Sequence, residues 1–227
     1  MAMAIGIVIG GTILVAAPFA AVAAVIAGGT DLNDDENATA VLLGASLLGE
    51  VFLLLAVALF TVAKYNLSWS TLGLRPPRRG GFWFPLPLSV AALIVFISYA
   101  AITSLMGVEA EEDILEGVRD STVLIVLLGI LSLALAPFME ELFFRGFLFG
   151  GLRGRWGLLG AALGSGLLFT VAHFSGISSL PALPLIGVLS LLLAWAYHYT
   201  GSLFAPMATH FLWNLGAFIF GVLEVGG

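Results

Sequence analysis

Six polar side chains sit inside segments too apolar to carry them without a reason. Glu140, Glu141 and Arg145 interrupt the run from Val123 to Phe149, His173 closes Phe169-Thr170-Val171-Ala172-His173, and His210 and Asn214 lie four apart in His210-Phe211-Leu212-Trp213-Asn214. An ionised carboxylate in hydrocarbon costs several kcal/mol, about 2.5–3.5 on insertion scales, so such residues are functional-site hypotheses by default. On a helix, a spacing of four puts Glu141 beside Arg145 and His210 beside Asn214, while Glu140 points about 100° away from Glu141. One carboxylate is therefore paired and the other is left for another task. The apolar flanks Phe138-Met139 and Leu142-Phe143-Phe144 desolvate the remaining carboxylate, which suits it to act as a general base.

Taken alone, the Glu141–Arg145 pair reads as a salt bridge that stitches helices together. Each histidine alone reads as a hydrogen-bonded core residue. Three segments presenting such groups at compatible depth read as a site. At a helical rise of ~1.5 Å per residue from the basic turns, Glu140 lies roughly 15 Å in, His210 and Asn214 roughly 10–16 Å, and His173 roughly 24 Å before tilt. A carboxylate and an imidazole can hold and deprotonate a water, while a second imidazole and an amide can donate hydrogen bonds to the oxyanion formed when that water attacks an amide carbonyl. The same Glu140, His173 and His210 would alternatively ligate Zn²⁺ and leave a position open for water. Both routes end in water-mediated amide hydrolysis. The chain has no cysteine, which excludes disulfides, a thiol nucleophile and thiolate ligands.

The elements that must position these groups are apolar helices. With 60% hydrophobic residues, 10% charged and a mean hydropathy of +1.12, the 227-residue chain is expected to be all-α: a single integral-membrane, multi-pass helix bundle over residues 1–227. Seven segments are long enough to span: Ile5–Ile26, Val41–Ala63, Phe84–Met106, Val123–Phe149, Leu158–His173, Leu183–Tyr199 and Phe204–Leu223. The first has a second reading as a secretory signal, because Ala21-Val22-Ala23 resembles a cleavage site, but its start lacks Lys and Arg. Lys64, Arg75, Arg78 and Arg79 follow the second span and Arg153 and Arg155 the fourth, which places those loops and the N-terminus in the cytoplasm. The acidic stretches Asp31–Glu36 and Glu109–Asp120 then face outside. Trp69 to Pro77 reads as an interfacial loop, with Pro76-Pro77 forbidding a continuing helix. A polar cavity open to the cytoplasm is expected, since hydrolysis needs water. The expected partners are membrane lipid and a peptide or protein substrate, with no nucleic acid.

In their order on successive apolar segments, Glu140-Glu141-x-x-x-Arg145, Phe169-x-x-x-His173 and His210-x-x-x-Asn214 resemble the motifs of the CPBP (Abi) family of intramembrane proteases, which includes the type II CAAX prenyl endopeptidases. The motif-bearing core would run from about residue 121 to 223, and Leu72-Gly73-Leu74-Arg75 resembles a segment found upstream of it. The resemblance implies that Glu140 activates water with the help of His173 and that His210 and Asn214 stabilise the oxyanion. It also implies that Glu141, Arg145 and Phe169 support them. The family has been described both as metalloproteases and as metal-independent glutamate proteases, so no cofactor is certain and Zn²⁺ on Glu140, His173 and His210 stays open. In prenyl-processing members the substrate is a prenylated C-terminal peptide.

Two rivals come from other classes. Gly164-Ser165-Gly166 with His210 faintly resembles a serine protease of the rhomboid type, although Ser165 among Gly160, Ala161, Gly164 and Gly166 suits close helix packing better. A transporter or immunity-type binding protein would use the buried Glu, His and Arg as a relay. Glu50, about ten residues into the second span and outside every motif, would serve that relay or pack against the cavity. His198, at the end of the sixth span, reads as interfacial.

Overall fold

The computed structural model describes residues 35–106, 121–174 and 179–225, so the first expected span and the acidic stretch 109–120 lie outside the described residues. The described residues form helices and turns, with no strand among them. Helix α1 is Asp35–Val57, extended by a π-helical stretch Ala58–Ala63, and α2 is Pro85–Leu105. Next come α3 (Thr122–Ile130), a π-helical turn Leu131–Leu135, α4 (Ala136–Glu141), a second π-helical stretch Leu142–Phe149 and α5 (Gly150–Ala172). Helices α6 (Leu183–Thr200) and α7 (Phe204–Val225) complete the bundle.

Among the described residues, four segments are long and apolar enough to cross a membrane: Thr39–Ala63, Pro85–Leu105, Thr122–Ala172 and Ser179–Thr200. The chain is a membrane protein. At 51 residues the third segment exceeds the ~20 that one crossing requires. It breaks at Gly157, whose φ of 69° and ψ of −172° suit glycine and few other residues, between the two stretches expected from sequence as the fourth and fifth spans. The seventh expected span corresponds to α7, which is not among the four.

Packing is inverted relative to a soluble protein. Leu105, Val123, Leu159 and Leu167 are exposed, whereas Arg145, Glu141, Thr200 and Thr209 are among the fully buried side chains. Apolar side chains facing outward and polar ones inward are what a hydrocarbon solvent selects. The π stretch 142–149 packs on α5, α5 on α6, and α7 on both α2 and α6. Phe144, Phe149, Phe169 and Ala194 form one apolar cluster between these helices.

The loop after α1 clamps the α6–α7 corner. Asn66 turns the chain with a positive φ of 50°, and Leu72 packs with Val57, Leu142 and Leu203. The Leu203 N–H donates to the Gly73 carbonyl at 2.8 Å, and the Tyr197 hydroxyl to the Leu72 carbonyl at 3.0 Å. Gly73 is required here: its φ is 101°, and a Cβ would sit 2.5 Å from Tyr197 Cε2.

Candidate active site

Pro137 shapes the helix that carries the two glutamates. Proline has no N–H and its ring crowds the preceding turn, so a regular α-helix through it would be interrupted. The chain answers with the wider turn Leu131–Leu135 just ahead. In that i→i+5 register the Ser132 carbonyl would look to residue 137, which has nothing to donate. Asn214 Nδ2 fills the vacancy, donating to Ser132 O at 2.8 Å and tying α7 to this turn.

Glu140 and Glu141, adjacent in sequence, face different surroundings. Glu141 is fully buried and its Oε1 accepts from Arg145 Nη1 at 2.8 Å and lies 3.0 Å from His210 Nδ1. Arg145, also fully buried, donates through Nη2 to Ser190 Oγ at 2.8 Å and to Ser190 O at 3.1 Å. Its guanidinium carbon stands 4.4 Å from the centre of the Phe169 ring. Glu141, Arg145, His210 and Ser190 are one network across four elements. Glu141 Oε1 is the acceptor of the guanidinium, and with that oxygen as acceptor for both contacts His210 carries its hydrogen on Nδ1.

Glu140 instead lines a cavity of about 610 Å³ together with Glu50, Ser132, His173, His210 and Asn214. Its Oε2 is buried without a hydrogen-bond partner and lies 3.9 Å from His173 Nε2. His173 ends α5 with φ −91° and ψ 5°, the sparsely populated bridge region where active-site residues recur. Its Nδ1 is 2.8 Å from the Phe169 carbonyl, an acceptor, so that nitrogen is the N–H and Nε2 presents a lone pair toward Glu140. Phe169 is buried under both imidazoles, with ring centroids 4.5 Å from His173 and 5.9 Å from His210.

The structure thus splits the expected residues into two groups. Glu140 faces His173 across the cavity, and Glu141, Arg145 and His210 form the buried network beside it, with Phe169 between. Asn214 lines the same cavity, but one of its amide hydrogens is committed to Ser132. Ser165 Oγ donates to Ala161 O of its own helix at 2.8 Å, which is a packing role. Among the described residues no group of three or more His, Asp or Glu is gathered as it would be around an ion. His210 is turned by Nδ1 onto Glu141, not toward a shared centre.

Two residues complete the site without belonging to a motif. Glu50 of α1 is buried and meets Glu140 carboxyl to carboxyl. Its signal in sequence was an ionisable residue inside an apolar span. Ser190 of α6, the second partner of Arg145, had no signal beyond being a hydroxyl in an apolar helix.

Fold and site together define a helical membrane protein with an interior Glu, His, Arg and Asn constellation on the helices from α3 to α7. Residues 122–216 match the family model for Rce1-like proteins, described as type II CAAX prenyl endopeptidase Rce1-like. This is the family that the three motifs resemble, and the matched segment contains all of them. The match points to a protease of the CAAX type. No curated protein and no solved structure matches the chain.

Proposed function

We propose that the protein is an intramembrane endopeptidase that cleaves a peptide bond with water activated by Glu140 and His173. The observation that carries this reading is the 3.9 Å separation of Glu140 Oε2 and His173 Nε2 across the cavity. That distance is too long for a hydrogen bond, and one water admitted between the two side chains as they part would touch both atoms. Both atoms are acceptors, so a water between them donates one hydrogen to each and turns its lone pair to the substrate.

The water oxygen forms a bond to the scissile carbonyl carbon as its proton passes to Glu140, with His173 holding the second hydrogen. The carbonyl oxygen becomes an oxyanion, stabilised by the remaining Asn214 N–H and by His210 Nε2 when that ring is doubly protonated. Collapse breaks the carbon–nitrogen bond, and the proton held by Glu140 leaves on the amine nitrogen. The second water hydrogen, held by His173, passes to the amine as well, so the products are a carboxylate and an ammonium group. No step requires a metal.

The substrate we assign is a peptide near its C-terminus, prenylated as in type II CAAX endopeptidases, reaching a cavity that faces the cytoplasm in a multi-pass chain whose N-terminus is cytoplasmic. The whole of residues 1–227 would act as one membrane domain. The experiment compares cleavage of matched prenylated and unprenylated C-terminal peptides by the purified protein and by Glu140→Gln. Loss of a general base lowers the rate by about 10²–10⁴-fold. Near-normal cleavage by Glu140→Gln refutes the assignment of the base, and equal cleavage of both peptides refutes the prenyl preference.

A further inference from the structure

A second cavity, of about 320 Å³, lies away from the glutamates and is lined by Arg75, Arg78, Arg79 and Arg153 with Tyr197 and His198. Among the described residues no acidic side chain lines it. The described ion pairs at Glu140 and Glu141 are taken up by His173, Arg145 and His210 in the other site. Four guanidiniums converging without a carboxylate repel one another, and an anion relieves that repulsion.

The walls of this cavity are held firmly. Arg75 Nε donates to the Gly201 carbonyl at 2.8 Å, and the Arg78 backbone N–H donates to the Thr200 carbonyl at 2.8 Å. Ser202 Oγ donates to the Arg75 carbonyl. These bonds cap the C-terminal end of α6, a common use of arginine. They occupy Arg75 and only the backbone of Arg78, leaving the guanidiniums of Arg78, Arg79 and Arg153 over the cavity. A fork of planar N–H donors suits phosphate oxygens.

The level of the cavity indicates where such an anion comes from. Thr39–Ala63 ends, Pro85–Leu105 begins and Ser179–Thr200 ends at this side of the bundle. Beside it Phe84 stacks on Tyr199 at 5.0 Å, and Trp195 on Tyr199 at 5.7 Å, with Trp195 and Tyr199 exposed. Aromatic side chains of this kind sit at headgroup depth.

We propose that this arginine cavity binds a phosphate group at the membrane surface, supplied by an acidic phospholipid headgroup or by free phosphate. It is separate from the peptidase site: Arg153 follows Glu140 by 13 residues (153 − 140), roughly 20 Å of helix at ~1.5 Å per residue.

The test measures thermal stabilisation of the full-length protein in detergent against added phosphatidylglycerol, phosphatidylcholine or inorganic phosphate at constant ionic strength. Arg78→Gln/Arg153→Gln is run beside wild type. Both arginines are exposed, so the variant should fold, which an unchanged elution volume and unchanged melting without ligand will verify. Phosphatidylglycerol should stabilise wild type where phosphatidylcholine does not, and the variant should need at least about tenfold more for the same shift, since each lost charged hydrogen bond is worth about 1.5–3 kcal/mol. Stabilisation by phosphatidylglycerol alone assigns the lipid as source, and stabilisation by inorganic phosphate as well assigns the phosphate group itself. An equal response to the two lipids without one to phosphate, an equal response of variant and wild type, or no response to any ligand overturns the proposal.

Discussion

Removing the guanidinium of Arg145 should expose how much of the site is held by one buried charge. In Arg145→Met the hydrogen bonds to Glu141 and Ser190 and the contact with Phe169 disappear, while the Glu141 carboxylate stays fully buried. Breaking a buried ion pair from one side costs about 3–5 kcal/mol, because the surviving charge has no compensation. Here His210 Nδ1 still reaches Glu141 Oε1 at 3.0 Å, so the lower end, about 3 kcal/mol, is expected. Glu141→Gln in the same background removes the stranded charge and should restore about 2 of those 3 kcal/mol, so the double variant loses less than Arg145→Met alone. Equilibrium unfolding in mixed detergent micelles, followed for wild type, both single variants and the double variant, measures each corner of this cycle. If Arg145→Met costs less than about 1 kcal/mol, or the double variant loses the sum of the single losses, then Glu141 is not stranded and the network is not coupled.

Two further outcomes separate packing from chemistry. Ser165→Ala should leave peptide cleavage unchanged, because its hydroxyl donates within its own helix; a loss of cleavage on the scale of a missing nucleophile would revive the serine-protease reading. Gly73→Ala should destabilise by about 1–3 kcal/mol, because a positive φ and the clash with Tyr197 act together, and a melting point equal to wild type would contradict the clamp.

The chemistry was more legible in the sequence than the architecture that holds it. Charged residues in apolar runs advertise themselves, and the helical period alone separates Glu140 from Glu141 and pairs Glu141 with Arg145. The gap between the fourth and fifth expected spans likewise reads as a break, and the structure turns there at Gly157. Contacts between distant segments leave no local trace. Nothing in the period of α6 says that Ser190 meets a guanidinium 45 residues earlier, or that Asn214 caps a carbonyl near Pro137. The π-helical stretches 131–135 and 142–149 were hidden because each carries a single polar residue, Ser132 or Arg145, which makes no periodic face whose phase could slip. Glu50 was visible as an anomaly, but only the packing of α1 against α4 shows that it meets Glu140.

Those distant contacts explain how two neighbouring glutamates are kept from doing the same thing. Glu141 is neutralised by Arg145 and anchors His210, both through Oε1, so its position is fixed. Glu140, one residue earlier, has only a half-buried imidazole at 3.9 Å and a second carboxyl nearby. Phe169 lies between the two groups, under the guanidinium on one side and against His173 on the other. A single side chain therefore fixes the buried network and the cavity-facing histidine to each other. The site consequently keeps one carboxylate pinned in a buried ion-pair network and one carboxyl facing the cavity, the division of labour that we propose for water-mediated hydrolysis.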